Sequence, residues 1–169
     1  MNYIVENKYT TFVSENAQVG KGSIIRSGSI IEDNVVIGDN CIIGPYAHIH
    51  SGSKIGNECV IGNFVEVKNS ILGKGCKAKH LVYLGDCECG ENVNFGCGVV
   101  IANFDGKNKN TTLIKDNVFV GCNSNLIAPI VVGSNSFIAA GTTVGEEIQD
   151  NEFVIGRKKA IHKTNKLIG

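Results

Sequence analysis

The chain has 169 residues, with 16 Lys and Arg balanced by 16 Asp and Glu. This length fits one domain, and the zero formal net charge argues against nucleic acid or an anionic membrane as a partner. Hydrophobic residues make up 43% and charged residues 19%, which argues against disorder. No apolar run approaches the ~20 residues that span a bilayer, no signal-peptide core opens the chain, and seven cysteines are an odd number for a disulfide framework. We therefore expect a cytoplasmic protein.

An aliphatic residue recurs every six positions from Val13 to Val67 without a slip. The interval shortens to five at Leu72 and again at Cys89, and after an interruption the period of six continues to Val144. Gly often follows the aliphatic residue, and a small or β-branched residue often lies four positions after it. This pattern is typical of a parallel β-helix built from hexapeptide repeats. A β-sandwich is disfavoured, because its strands recur at ~8–12 residues.

Each hexad predicts one short strand and one corner. The aliphatic side chain fills the interior, Gly or Asn takes the positive-φ turn conformation that other side chains resist, and the small residue fits where the interior narrows. Three hexads per coil predict a triangular prism of about seven coils, which buries one continuous column of Ile and Val. The predicted β-helix domain covers residues 1–156, and a basic tail covers residues 157–169.

Three segments break the repeat, and function is expected where a regular pattern breaks. In 68–83 the register slips and polar and aromatic residues accumulate, among them His80 and Tyr83. Residues 102–112 form a polar loop that is ejected from the helix. From Arg157 the tail is basic and contains no acid, which suits either a solvated end or contact with a phosphorylated cofactor.

The cysteines and histidines take positions in the same repeat. Four cysteines fall on interior positions and are expected to be packed core thiols: Cys41, Cys59, Cys76 and Cys89. His48 and His50 are two residues apart, which places both on one face of a strand. Because the sequence offers no convincing third ligand beside them, we predict no metal site.

Three motifs resemble one known family. G-N-F-V-E-x-K lies at 62–68, K-A-x-H-L-x-Y-L-G-D at 77–86 and N-x-D-G at 103–106. With the surrounding region, roughly residues 20–160, they resemble the C-terminal acetyltransferase domain of the bacterial bifunctional glucosamine-1-phosphate N-acetyltransferase/N-acetylglucosamine-1-phosphate uridyltransferase, a hexapeptide-repeat acyltransferase. The resemblance implies an all-β, left-handed parallel β-helix with one ejected loop. The uridyltransferase domain has no counterpart in the sequence, so a stand-alone acetyltransferase and a piece of a longer enzyme both stay open.

The resemblance also implies roles for individual residues. His80 matches the general base, which takes a proton from the sugar amine as the amine attacks the acetyl-CoA thioester, and Glu66 is a candidate to orient it. Imidazole suits this step near neutral pH. The positions that match the substrate site are His50, Lys68, Tyr83 and Asn94. The positions that match the acetyl-CoA site are Asn103, Phe104, Lys109, Cys122, Ala140 and Arg157, with Asn103 near the reacting acetyl group.

Three of these positions depart from the family. His50 replaces an arginine that helps to hold the substrate phosphate, Phe104 replaces a tyrosine, and Cys122 replaces a serine. We expect an acetyl-CoA-dependent N-acetyltransferase that acts on an amino sugar phosphate, with glucosamine-1-phosphate as the expected substrate. A different amino sugar, nucleotide-linked or free, stays open, as does a non-catalytic β-helix scaffold. The resemblance further implies a homotrimer and leaves a separate nucleotidyltransferase partner open.

Overall fold

The structure, a computed structural model, describes residues 2–156 and 160–162. It is a left-handed parallel β-helix, in which 24 short strands form three sheets of nine, eight and seven strands. Each strand pairs in parallel with the strand one coil further along the chain. The predicted fold class is therefore confirmed. No helix in the described part of the chain is long or apolar enough to cross a membrane.

The three sheets are the faces of a triangular prism and are called faces A, B and C. Face A consists of β1 (Ile4–Val5), β4 (Ile24–Ile25), β7 (Ile42–Ile43), β10 (Val60–Asn63), β13 (Lys77–His80), β16 (Asn94–Phe95), β19 (Phe119–Val120), β22 (Phe137–Ile138) and β24 (Phe153–Val154). Face B consists of β2 (Phe12–Val13), β5 (Ile30–Ile31), β8 (His48–Ile49), β11 (Glu66–Lys68), β14 (Tyr83–Gly85), β17 (Val100–Ala102), β20 (Asn125–Ile127) and β23 (Thr143–Val144). Face C consists of β3 (Gln18–Val19), β6 (Val36–Ile37), β9 (Lys54–Ile55), β12 (Ile71–Leu72), β15 (Cys87–Cys89), β18 (Thr112–Ile114) and β21 (Ile130–Val132).

The chain completes eight coils, one more than the sequence predicted. The predicted count began at Val13, but Ile4–Val5 already pairs with Ile24–Ile25 and opens the first coil. At the other end, Ile148 bridges to Val132 on face C, and β24 then begins a ninth passage across face A. The sequence count missed these end segments because they fall outside the unbroken period of six.

The core is the predicted aliphatic column. Every aliphatic position of the repeat from Ile25 to Val144 is buried, whereas Val13 and Val19, in the first coil, are partly buried. Removing one such side chain from water stabilises the fold by ~1.5–3 kcal/mol. The interior cysteines are packed in the same column, so their prediction as core thiols is confirmed: Cys41, Cys59, Cys76 and Cys89 are buried and free.

The glycine that follows the aliphatic residue has a different role from the predicted one. A positive φ occurs three positions after the aliphatic residue, as at Asn34 (58°) and Asn40 (55°). Gly20 and Gly56 instead lie where coils approach closely, since a Cβ on Gly20 would lie 2.4 Å from the carbonyl carbon of Gly38. At Gly20 and Gly56 a side chain is therefore excluded because the next coil occupies that space.

The two shortened hexads and the ejected loop stack at the corner between faces B and C, which we call the B/C corner. Ile43 pairs with Ile61 and Val67 pairs with Leu84, so the second of these coils is shorter by a single residue. The first missing residue falls between β11 and β12, and the second falls between β14 and β15. The ejected loop leaves the next coil between β17 and β18, at the same corner.

Candidate functional site

The structure places the predicted site residues in three regions. One is the corner between faces A and B, called the A/B corner, another is the outer surface of face B, and the third is the loop at the B/C corner. Arg157 and most of the predicted basic tail lie outside the described residues.

Four successive coils place one residue each at the A/B corner. The register pairs Ala78 with Phe95, Phe95 with Val120 and Val120 with Ile138. Two positions after each of these residues lies the corner residue, and the four corner residues are His80, Cys97, Cys122 and Ala140. With strands ~4.8 Å apart, this column runs for about 14 Å along the prism. It joins the predicted base to two predicted cofactor positions.

His80 is exposed at the end of β13, opposite Asn63 of the preceding coil. It borders a shallow pocket of about 200 Å³ that Pro45 and Lys79 also line. Its ring makes no side-chain hydrogen bond to any residue that the structure describes. The imidazole is therefore accessible from outside and has no competing partner within these residues.

The predicted substrate residues lie on face B, except for Asn94 on face A. Glu66 and Tyr83 occupy one register position in consecutive coils, and Lys68 pairs with Gly85. The Tyr83 ring covers Gly85, because a Cβ there would lie 2.5 Å from the Tyr83 hydroxyl oxygen. Glycine at this position thus lets the tyrosine lie flat along the face.

Asn94 occupies the middle of face A. It pairs with Lys77 of β13 and with Phe119 of β19. It is half-buried and lies one coil beyond His80. Its amide therefore faces out from face A, on the far side of the A/B corner from Tyr83.

A cluster of two carboxylates and two imidazoles lies on face B, and we call it the His–Glu cluster: Glu32, His48, His50 and Glu66. Oε1 of Glu32 lies 2.7 Å from His48 Nε2 and 3.2 Å from His50 Nδ1. The second nitrogen of His50, Nε2, lies 2.8 Å from Glu66 Oε1. The two rings stack with their centroids 3.9 Å apart. Three consecutive coils contribute to this cluster.

The Glu32 carboxylate is fixed by the turn that follows β8. The backbone N–H and the hydroxyl of Ser51 donate to Glu32 Oε2 at 2.9 and 3.0 Å. The Ser51 N–H, together with the His48 ring, lowers the pKa of the Glu32 carboxyl to about 2, although partial burial acts in the opposite direction. Glu32 is therefore ionised throughout the physiological pH range.

The expected role of Glu66 in orienting His80 is not supported within one chain. Its carboxylate binds His50 instead, and no hydrogen bond joins it to His80 in the described residues. The physical reason is the register. Glu66 lies opposite His48, and His50 comes two positions later, directly after β8, whereas Asn63 is the residue opposite His80.

At the B/C corner, a buried carboxylate organises the loop. Asp86 is 8% exposed, has a φ of 50°, and accepts hydrogen bonds from the side-chain amides of Asn69 and Asn103. Asn103, the first residue of the loop, is itself 7% exposed. Asp86 thus connects both shortened corners to the ejected loop, and it lines a pocket of about 260 Å³ with Thr111.

The loop is compact rather than extended. Phe104 and Lys109 form an antiparallel bridge across it. The Asp105 side chain accepts the backbone N–H groups of Lys107 and Asn108, which lower the pKa of its carboxyl. Phe104 is 60% exposed and Lys109 is also exposed, so both predicted cofactor residues project from the prism.

His80 and Asn103 lie at opposite edges of face B. His80 ends a strand of face A just before face B begins, and Asn103 follows the last residue of a face B strand. These two of the three predicted catalytic residues, His80, Glu66 and Asn103, therefore do not meet within one chain. A site that uses both needs the loop of another protomer.

Two residues of these regions were not predicted from the sequence. Glu32 lies in a regular hexad and precedes His50 by one full coil. Asp86 belongs to a motif that was recognised, but its burial was not foreseen. A search for polar residues that recur at the coil period would have found Glu32, His50 and Lys68 as one column.

The repeated hexads and the β-helix that they form are similar to those of known hexapeptide-repeat proteins. Residues 34–69 and 111–146 match the family described as "Bacterial transferase hexapeptide (six repeats)". The solved UDP-N-acetylglucosamine acyltransferase from Campylobacter jejuni is similar in fold, with a TM-score of 0.59 and 15% identity over 96% of this chain and 75% of that one.

The predicted resemblance is also confirmed at the level of sequence. The chain is 50% identical over 121 residues to the bifunctional protein GlmU of Geobacillus sp. (strain WCH70), which covers 72% of this chain and 26% of that protein. It is 50% identical over 119 residues to the bifunctional protein GlmU of Listeria monocytogenes serotype 4a (strain HCC23), covering 70% and 26% respectively. The chain thus spans about a quarter of the length of these relatives.

Proposed function

We propose that the chain is an acetyl-CoA-dependent N-acetyltransferase that acts on an amino sugar phosphate, with glucosamine-1-phosphate as the substrate. Acetyl-CoA is the co-substrate. The sugar amine attacks the thioester carbonyl, His80 accepts the amine proton, and the CoA thiol leaves. The products are the N-acetylated sugar phosphate and free CoA.

The observation that carries this proposal is the column at the A/B corner. An exposed imidazole, His80, stands about 14 Å along the prism from Ala140, with Cys122 between them. A column of this length suits the extended arm of a CoA thioester, whose reactive end would reach His80. General base catalysis requires the imidazole within hydrogen-bond reach of the amine, and the exposed ring permits this.

The residues around the column support a sugar substrate on face B. Lys68 supplies a positive charge and lies opposite Gly85, the residue that Tyr83 covers. Lys68 belongs to no ion pair in the described part of the chain. A lysine ammonium binds phosphate as a point charge. Tyr83, lying flat over Gly85, offers an apolar ring and a polar edge to a sugar.

We also propose that the active unit is a homotrimer. The loop that begins at Asn103 projects from the B/C corner, far from His80 of its own chain. A cyclic three-fold arrangement would bring the loop of one protomer to the A/B corner of the next. Each site would then combine His80 from one subunit with Asn103, Phe104 and Lys109 from another. Arg157, in the basic tail, would contribute to CoA binding. The cytoplasmic location of the protein stays a prediction.

One observation favours a second candidate, an amino sugar without a phosphate at the position of His50. His50 stands where the family arginine holds that phosphate, but both of its ring nitrogens face carboxylates. The negative charges of Glu32 and Glu66 oppose the approach of a phosphate. A free amino sugar, which carries no phosphate, avoids this repulsion.

A substrate panel tests the proposal. The purified chain is incubated with acetyl-CoA and glucosamine-1-phosphate, glucosamine or a nucleotide-linked amino sugar, and thiol release is followed. The highest kcat/KM is expected for glucosamine-1-phosphate, and light scattering of the same sample should give three times the 18.0 kDa chain mass. A preference for an unphosphorylated sugar would support the second candidate. No turnover with any sugar and no thermal shift with acetyl-CoA would indicate a scaffold.

A further inference from the structure

In the His–Glu cluster, both ring nitrogens of His50 face carboxylate oxygens. His50 Nε2 lies 2.8 Å from Glu66 Oε1, a distance that requires the proton of His50 on Nε2. The other ring nitrogen, Nδ1, can then offer its lone pair, and it faces Oε1 of Glu32 at 3.2 Å. Two electron-pair donor atoms therefore point toward the same space, as the ligands of a cation do.

His48 supplies a third donor atom at the same point. Its Nε2 lies 2.7 Å from the same Glu32 oxygen. One donor atom each from Glu32, His48 and His50 can be chosen so that all three lie within 4.8 Å of one another. Two imidazole nitrogens and one carboxylate oxygen therefore converge on a small volume. Three converging donor atoms are the number that a metal ion binds in a site with one open position.

We propose that Glu32, His48 and His50 bind one divalent transition metal ion of the zinc class. Glu32 Oε1, His48 Nε2 and His50 Nδ1 are its ligands, and solvent takes the fourth position. Two histidines with one carboxylate are an established donor set for zinc, in sites that keep an open position. Imidazole nitrogens favour such ions over Mg²⁺ or Ca²⁺, which prefer oxygen ligands.

The atoms around the three ligands have the arrangement that orients ligands in metal sites. A metal-bound histidine usually donates its other N–H to a carboxylate, and His50 does so to Glu66. Ser51 holds the second oxygen of Glu32, which leaves Oε1 free to bind one ion. Ligand atoms of a tetrahedral zinc site lie ~3.3 Å apart, so the observed 2.7 and 3.2 Å need to widen only slightly.

The ligands are accessible and held by rigid elements. His48 lies on β8, Glu32 and His50 directly follow β5 and β8, and these two strands pair in parallel. The side chains of Glu32, His48 and His50 are 32%, 36% and 21% exposed, so an ion can enter from solvent without unfolding the coils. The site does not depend on the proposed acetyltransferase function. A bound ion would offset the negative charge beside His50.

Metal titration of the full chain tests the proposal. After chelator treatment and buffer exchange, Co²⁺ is added and followed by visible absorption, and Zn²⁺ binding is measured by calorimetry. One equivalent per chain is expected, with the intense visible bands of tetrahedral cobalt. Glu32→Gln and His48→Ala should each abolish the tight equivalent, and Glu66→Gln should weaken it by ~10–100-fold.

The controls separate this site from other donors. His162→Ala removes an exposed histidine elsewhere and should leave the affinity unchanged. Thiolate-to-cobalt charge-transfer bands would assign the ion to the exposed Cys97 and Cys122 and would overturn the proposal. The proposal would also be overturned if the wild-type chain bound no equivalent of Co²⁺ or Zn²⁺. The cluster would then be a hydrogen-bonded group without a metal. Thermal midpoints of the variants check folding, and Glu66→Gln, which keeps the side-chain shape, still tests the site if a ligand variant does not fold.

Discussion

The A/B corner and the B/C corner of the prism differ in how they carry candidate function. At the A/B corner the backbone repeats regularly, and each of the four coils there has a positive φ next to the corner residue, at Leu81 (48°), Gly98 (78°), Asn123 (55°) and Gly141 (73°). At the B/C corner two coils are one residue shorter and a third ejects a loop. The A/B corner thus differs from coil to coil only in which side chain it carries. The B/C corner differs from coil to coil in the number of backbone residues.

This difference shows that a candidate catalytic residue can lie on a β-helix coil whose backbone repeat is not interrupted. His80 sits on an unbroken β-helix, so replacing it should change the reaction and leave the fold intact. Asp86 sits where the backbone departs from the repeat, so replacing it should disturb both the loop and the fold. Variants at the two corners can therefore separate catalytic effects from structural ones.

The largest expected effect is on turnover, at the A/B corner. His80→Ala should lower kcat for acetyl transfer by ~10²–10⁴-fold, the usual contribution of general base catalysis. The KM for acetyl-CoA and the thermal midpoint should change little, because the ring is exposed and makes no internal hydrogen bond in the described residues. Steady-state kinetics measure both constants. Lys74→Ala, an exposed substitution away from the pocket, is the control, and near-normal turnover of folded His80→Ala would refute the role of the base.

The next effect is on stability, at the B/C corner. Asp86→Ala leaves the amides of Asn69 and Asn103 without their shared acceptor, which should cost ~1–3 kcal/mol of unfolding free energy. The loop should also become more susceptible to proteolysis between residues 103 and 111. Urea denaturation and limited proteolysis measure these changes.

Glu88→Ala is the matched control for Asp86, because it removes an exposed carboxylate from the adjacent strand β15. Its unfolding free energy should stay within ~0.5 kcal/mol of the original chain. Equal losses in the two variants would mean that Asp86 does not organise the corner.

The last comparison, again on stability alone, concerns two glycines beside Ala140. A Cβ on Gly121 would lie 2.4 Å from the Ala140 nitrogen, so Gly121→Ala should cost ~1–3 kcal/mol through overpacking between coils. Gly141 has a φ of 73° and nothing within 4 Å of its Cβ position, so Gly141→Ala should cost only the ~1–2 kcal/mol of the left-handed backbone. Chemical denaturation ranks the two, and a larger loss at Gly141 would mean that backbone conformation, not coil contact, limits this corner.

The fold was largely predictable because a single physical rule repeats along the chain. Every aliphatic position identified at the period of six is buried from Ile25 to Val144, and small residues four positions later, such as Cys41 and Cys59, are buried as well. The role of Gly20 and Gly56 was misassigned, because a sequence pattern does not distinguish a positive φ from a close approach of the next coil. Both constraints select glycine.

The candidate site was less predictable, because its contacts join residues one coil apart. The sequence showed His48 and His50 on one strand but not Glu32, which lies one coil earlier, so the expectation of no metal rested on an incomplete set of ligands. Likewise, the family resemblance made Glu66 a candidate to orient His80, whereas the register places it beside His50. Once the number of residues per coil is known, residues separated by that number can be recognised as neighbours in adjacent coils.

Parallel stacking of the coils also determines how far a disturbance can travel. Each strand pairs only with the preceding and the following coil, so stability in such a solenoid is the sum of nearest-neighbour interfaces, as in a one-dimensional chain of coupled units. The His–Glu cluster spans residues 32–66 and depends on three adjacent coils, whereas β24 closes the opposite end through one interface with β22. Fraying that begins at that end must disrupt several interfaces in succession before it reaches the cluster. A local loss of stability at the β24 end is therefore expected to leave the stability of the coils around the His–Glu cluster largely unchanged, although one continuous core runs through the molecule.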